Sequence, residues 1–175
     1  MTDPIDEASA LSIRLRQQAA IAEFGKHALR THDLDAILQQ ACKLAADGLG
    51  IQQAKVLELL PYDRGLLVRA GVGWGPEVVG KAIIGADGGS PAGYALRTGE
   101  AVISEDLSRE SRFKIPPVLQ QHGIKSAINV LIQGDRQPFG VLEVDSRRLY
   151  RFTRGDADFL QSCANRVASA IDRLD

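Results

Sequence analysis

His122, in a long polar segment with Glu105 and Asp106 upstream, is the imidazole best placed to ligate haem or iron. One imidazole can hold haem, but non-haem iron needs a converging set of imidazole and carboxylate. No His-x-x-x-His or Cys-x-x-Cys spacing supports it, so no metal is expected and the cofactor stays unassigned. His27 and His32 fall in or beside the first helical stretch and are expected to be solvated. Cys42 and Cys163 sit on apolar helical faces, where a free thiol packs like a small hydrophobe. The chain has no Gly-x-Ser-x-Gly elbow, Walker loop or dinucleotide fingerprint. Without a nucleophile–base pair, an enzyme is not expected. Gly85-Ala86-Asp87-Gly88-Gly89-Ser90 precedes a helix start, where backbone N–H groups can hold an anion. It lacks the Lys-Ser/Thr ending of a phosphate loop and reads as a plain turn.

Polar residues inside apolar runs say more. Asn129 interrupts Ala127-Ile128-Asn129-Val130-Leu131, a strand context that disfavours asparagine. Either it reads a ligand's hydrogen-bonding edge or it is satisfied by a neighbouring loop. Trp74 and Tyr94 can wall a pocket or serve as plain core. Asp106 reads as a loop-capping carboxylate. Glu58 and Glu143 are not expected to form an acid–base pair, and exposure at sheet edges accounts for both.

These side chains need a scaffold, and composition bounds it. The 175 residues suit one domain, with 45% hydrophobic and 25% charged residues, ordinary globular values. Twenty-one basic and 22 acidic residues leave a net charge of −1, which gives no electrostatic footprint for nucleic acid or an anionic membrane. No run reaches the ~20 apolar residues of a membrane helix, and Met1–Glu7 is not a secretory signal. A cytoplasmic location is expected.

Periodicity then places the elements. Ala8–Leu29 reads as a helix with Leu11, Leu15, Ala22 and Leu29 on one stripe, and Ile21, Phe24 and Ala28 beside it. Asp33 should cap a second helix from Leu34, ended by a left-handed Gly48. Strands follow at Ala54–Leu60, Leu66–Ala70 and Lys81–Ile84. Ser90-Pro91 should open a short helix that stops near Gly99. Ala101–Ser104 is a further strand, and Leu107–Gly123 is a long segment with a helical turn at Pro116-Pro117. Ile124–Gln133 and Phe139–Asp145 are the clearest strands. Thr153, with Asp156 three residues on, opens the last helix in a capping-box arrangement. The pattern is α+β, with helices gathered on one face of a mainly antiparallel sheet. Phe139–Asp145 should be central, antiparallel to Ile124–Gln133 and covered on both faces.

Gly93-Tyr94-Ala95-Leu96-Arg97-Thr98-Gly99-Glu100, Ser104-Glu105-Asp106-Leu107 and Arg112-Phe113 resemble the middle of GAF domains. So do Asn129-Val130-Leu131-Ile132, Pro138-Phe139-Gly140-Val141-Leu142-Glu143-Val144 and Phe152-Thr153-Arg154-Gly155-Asp156, in the family's order over about Ala19–Leu174. The resemblance, closest to input domains of bacterial sensor histidine kinases, implies a GAF-like, PAS-related six-stranded antiparallel sheet. It also implies terminal helices on one face and a small-molecule pocket, with loops and short helices, on the other. Cyclic-nucleotide-binding members carry Asn-Lys, Phe and Asp-Glu where this chain has Asp145, Ser146, Phe152, Asp156 and Ala157. Only Phe152 and Asp156 match, and packing and capping explain both. The pocket cysteines of bilin-binding and methionine-sulfoxide-reducing members have no counterpart here.

The resemblance implies a sensory module of a two-component signalling protein. It would bind a small molecule, pair as a homodimer and relay to a downstream kinase domain. A ligand-free module that only dimerises and transmits helix motion is the alternative. The pocket is expected between the sheet and Trp74–Gly123, near Trp74, Tyr94, Ser104, His122 and Asn129, because the amphipathic terminal helices must take the other face. The dimer is expected through Leu11, Leu15, Ala22, Val167 and Leu174. The expected organisation is a leader over 1–7, a signalling helix over 8–30, and a core over 31–175. Ile171-Asp172-Arg173-Leu174-Asp175 lacks a stop signal, so the last helix should continue into a further domain.

Overall fold

The computed structural model describes residues 4–149 and 152–174. Helix α1 spans Pro4–Arg30 and α2 Leu34–Leu49. Between them the Asp33 carboxylate accepts the backbone N–H groups of Asp35 and Ala36, the cap that its position implied. α1 starts at Pro4, ahead of the expected Ala8. Proline suits a first helical position, where its fixed φ is already helical and its missing N–H costs nothing. The leader's first three residues and Asp175 lie outside the described residues.

Gly48 does not end α2. The helix runs to Leu49, and Gly50 takes the left-handed turn at φ 66°. Gly48 lies inside the helix, where a Cβ would fall 2.3 Å from the Phe159 ring. That glycine provides a close approach, not a stop.

The sheet consists of β1 (Gln53–Leu59), β2 (Leu66–Val72), β3 (Ile83–Ile84), β4 (Val102–Ser104), β5 (Ser126–Gln133) and β6 (Pro138–Ser146). Their order is β3-β2-β1-β6-β5-β4, and each neighbouring pair is antiparallel. β6 is central and antiparallel to β5, as the pattern predicted. β3 is shorter than Lys81–Ile84, because the N–H groups of Lys81 and Ala82 turn back to the Val78 carbonyl. α3 (Pro91–Thr98) is capped by Ser90 and closed by left-handed Gly99. A 3₁₀ turn at Leu107–Arg109, capped by Asp106, and α4 (Pro117–Gln121) organise the long segment. In α5 (Arg154–Leu174), the Asp156 N–H donates to Thr153 Oγ1, and the Thr153 N–H donates to the Asp156 carboxylate. The capping box is formed.

Alternation along the strands splits the core. Ala54, Val56, Ile128, Val130, Leu142 and Val144 pack against the three long helices. On the opposite face Leu57, Val68 and Val141 are covered by the segments between β2 and β5.

α1 turns Ile21, Phe24 and Ala28 inward, while Leu11, Leu15 and Leu29 remain 60, 62 and 70% exposed. Gln17 is buried and donates to the Gly48 carbonyl at 2.9 Å. Ala22 faces solvent with the leucines, and Leu174 is half-buried. Val167 is fully buried in the helix-side core, so it does not belong to a surface that could meet a second copy. Its place on the apolar stripe of α5 serves the chain's own sheet.

Candidate functional site

Antiparallel register brings four polar side chains together on the loop-covered face. Lys55 on β1 and Asn129 on β5 both lie opposite Glu143 on β6. Asp145, two residues beyond Glu143, points to the same side because strand side chains alternate. Lys55 Nζ donates to Glu143 Oε2 at 2.5 Å and to Asp145 Oδ2 at 2.8 Å. All four residues are buried to within 1%. The expectation that Glu143 is exposed at an edge is therefore wrong: β6 is one of the two central strands, covered on both faces. Glu58 is half-buried on β1 and paired with Arg69.

Trp74 roofs this cluster. Its ring centroid lies 4.6 Å from Lys55 Nζ, and its indole N–H donates to the Ala54 carbonyl at 3.0 Å. His122 meets the indole edge-on at 5.0 Å, with Nδ1 2.8 Å from the Val118 carbonyl oxygen and Nε2 3.3 Å from a Glu77 oxygen. His122 thus supports the roof and stands one ring away from the cluster.

Ser104 and Tyr94 belong to a neighbouring arrangement. The Ser104 hydroxyl donates to Glu110 at 3.3 Å, and Arg112 grips Glu110 through Nε and Nη2, both at 2.8 Å. The Arg112 guanidinium holds the Glu110 carboxyl down at about 2. Tyr94 packs on Phe113 at 6.0 Å, beside the same guanidinium. Of the five expected pocket residues, Asn129 and Trp74 meet at the cluster, His122 stands behind Trp74, and Ser104 and Tyr94 are engaged elsewhere.

Among the described residues, three buried side-chain atoms have no hydrogen-bond partner: Asn129 Oδ1, Asn129 Nδ2 and Asp145 Oδ1. Such atoms ordinarily cost ~1–3 kcal/mol each, and native interiors hold few of them. Electrostatics adds to the tension. Burial, and then the neighbouring Asp145 charge, push the Glu143 carboxyl well above its usual value despite Lys55. Burial works against the Lys55 ammonium, but Asp145 and Glu143 outweigh it and raise its pKa.

The remaining candidates are accounted for by local structure. In the glycine-rich turn, Ser90 Oγ accepts the Gly93 N–H and donates to the Gly85 carbonyl, while Asp87 takes the Gly89 N–H. Cys42 and Cys163 are on the helix side, and burial pushes both thiols up to about 12, away from thiolate chemistry. Among the described residues no group of three or more His, Cys, Asp or Glu is placed to hold a metal ion. Phe152 is buried in the helix-side core and Asp156 caps α5. An open cleft of about 460 Å³ between Ala82–Ser90 and Lys114–Val118 is lined by none of the cluster residues.

Lys55 and Asp145 were missed as site residues. A lysine inside an apolar strand, and a Glu-x-Asp spacing that puts two carboxylates on one strand face, were the available signals.

The comparisons agree with this architecture. A family model described as GAF domain matches residues 31–172. The GAF domain of an Acinetobacter phosphoenolpyruvate-protein phosphotransferase is 20% identical, with TM-score 0.77, covering 90% of this chain and 94% of that one. Free methionine-R-sulfoxide reductase from Neisseria meningitidis, in complex with its substrate, is 19% identical with TM-score 0.75 and 90% coverage of both chains. Residues 122 to 287 of a methyl-accepting chemotaxis protein are 20% identical, with TM-score 0.74, covering 86% of this chain and 96% of that one. No curated protein matches the chain by sequence.

Proposed function

The chain belongs to the GAF domain family, and from that premise we propose that it is a non-catalytic sensory module. It takes a small polar molecule at the Lys55–Asn129–Glu143–Asp145 cluster and relays occupancy through its terminal helices to a histidine kinase output domain. The unpartnered, fully buried Asn129 amide carries this reading. A core asparagine with both ends idle weakens the fold, and a guest that offers a donor and an acceptor repairs it. A similar fold in a reductase with bound substrate supports a ligand-taking role, and the chemotaxis relative supports a signalling one. The reductase chemistry is not carried over, because both thiols lie across the sheet from the cluster. No helix among the described residues is long and apolar enough to cross a membrane. A cytoplasmic location fits the proposed role.

Asn129→Leu tests the reading. Leucine has the same branching without the polar atoms, so the unliganded variant should gain ~1–3 kcal/mol. At ~2–4 °C per kcal/mol for a domain of this size, the melting temperature should rise by several degrees. A thermal-shift screen of small polar compounds should find at least one that stabilises the wild type and not the variant. A fall in melting temperature on substitution, with no compound acting on the wild type, would favour the ligand-free module.

The relay requires pairing. Leu11, Leu15, Ala22 and Leu29 are exposed at heptad-like spacing on α1, outside the chain's own core. We expect a homodimer along this stripe, with half-buried Leu174 at its margin. Leu11→Glu with Leu15→Glu should halve the mass in light scattering at high concentration and leave the melting temperature of the domain core nearly unchanged. An unaltered mass would exclude pairing through α1.

A further inference from the structure

We propose that the guest of the Lys55–Asn129–Glu143–Asp145 cluster is a small organic cation with N–H donors, a primary ammonium or guanidinium. This rests on the reading of that cluster as a ligand site and adds the chemical class of the ligand. Two carboxylates share one ammonium at a place with no access to water. An uncompensated charge at such depth is costly, so the site calls for one more positive charge.

Among the described residues around the cluster, no second cation is free to supply it. From the strands, the cluster is faced by Lys55 and Gln53 on β1, Asn129 on β5 and Glu143 and Asp145 on β6. From above comes the Trp74 ring, with His122 behind it beside Glu77. Arg147, two residues beyond Asp145, is exposed and donates to the His122 carbonyl. Arg112 is held by Glu110 and the Ile103 carbonyl.

The idle atoms describe the guest. Asp145 Oδ1 and Asn129 Oδ1 accept, which calls for at least two N–H donors. Asn129 Nδ2 donates, which calls for an acceptor beside the charged nitrogen. The face of Trp74, already over one ammonium, suits a second cation. With both carboxylates ionised, an anion would meet excess negative charge, and a neutral polyol would leave Glu143 to keep its proton.

Burial and the Asp145 charge raise the Glu143 carboxyl, which favours a proton there while the cluster is empty. Binding then exchanges charge for charge: the cation enters, the Glu143 proton leaves to solvent, and the net charge of the site is unchanged. Affinity for the cation should rise about tenfold per pH unit while that proton is held.

The test is thermal shift and calorimetric titration of the whole chain with methylammonium and methylguanidinium chloride. N-methylurea (neutral donors), tetramethylammonium (charge without N–H) and acetate are compared at matched ionic strength. The N–H cations alone should raise the melting temperature, increasingly with pH, and titrations in buffers of different ionisation heat should show about one proton released. Glu143→Gln imitates the protonated carboxyl. It should fold, match the wild-type melting temperature at low pH, and lose the cation's effect. Stabilisation by N-methylurea or acetate equal to that by the cations would overturn the cation assignment and leave the pocket standing. No response to any probe, together with a destabilising Asn129→Leu, would overturn both.

Discussion

Lys55→Met should destabilise the domain by about 3–5 kcal/mol, the usual result of stripping one partner from a buried ion pair. At ~2–4 °C per kcal/mol, the melting temperature should fall by ~10 °C or more. The side chain is fully buried, and its ammonium is the partner that both Glu143 and Asp145 contact. Without it two carboxylates share a dry site. The loss comes from those stranded charges, so adding Glu143→Gln and Asp145→Asn to the methionine variant should restore most of it. A double-mutant cycle isolates that coupling. If the single variant melts within about 1 kcal/mol of wild type, the buried triad does not hold the sheet. The pH profile supplies a second readout. Glu143 titrates higher in the folded chain than its ordinary 4.5. The stability it contributes is therefore complete below that ordinary value and lost as pH climbs through the raised one. Glu143→Gln should flatten that limb.

Gly140→Ala should be nearly as damaging, for a steric reason. A Cβ at Gly140 would lie 1.8 Å from the Leu57 carbonyl oxygen and 2.8 Å from its carbon. Those atoms are backbone of β1, which pairs with β6 at the centre of the sheet, so no side-chain rotation gives relief. The strands must part, and the Lys55–Glu143 contact lies between the same two strands. We expect a loss of about 3 kcal/mol or more, read as a lower urea midpoint. Gly99→Ala is the control. Gly99 has φ 73° with nothing within 4 Å of a Cβ, so only backbone strain of ~1–2 kcal/mol applies. Equal losses at the two glycines would mean that the close approach of β1 and β6 is not what Gly140 serves.

Short-range chemistry in the chain already specified most elements. Asp33, Ser90 and Thr153 cap the helices they precede, because a cap needs only a side-chain oxygen and an N–H two or three residues on. Runs of alternating and continuous apolar residues marked β5 and β6, and Asn129 stands out as a polar misfit within one of them. Long-range geometry decided the rest. Lys55 lies 88 residues from Glu143 and 90 from Asp145, and only the β1–β6 register brings an ammonium between them. Composition could not reveal that pairing, since Glu143 looks like any strand-edge glutamate until β6 is flanked on both sides. Gly48 was misread for the same reason: a glycine near a helix end signals a stop locally, whereas here Phe159 of α5 occupies its missing side chain. The rotation of α1 was also a tertiary decision. Two apolar stripes lie side by side on that helix, and the better fit of Ile21, Phe24 and Ala28 against the core left the leucines outside. Hydrogen-bonded caps and strand periodicity act within a few residues, whereas register, close approach and helix rotation depend on surfaces that exist only once the chain has folded.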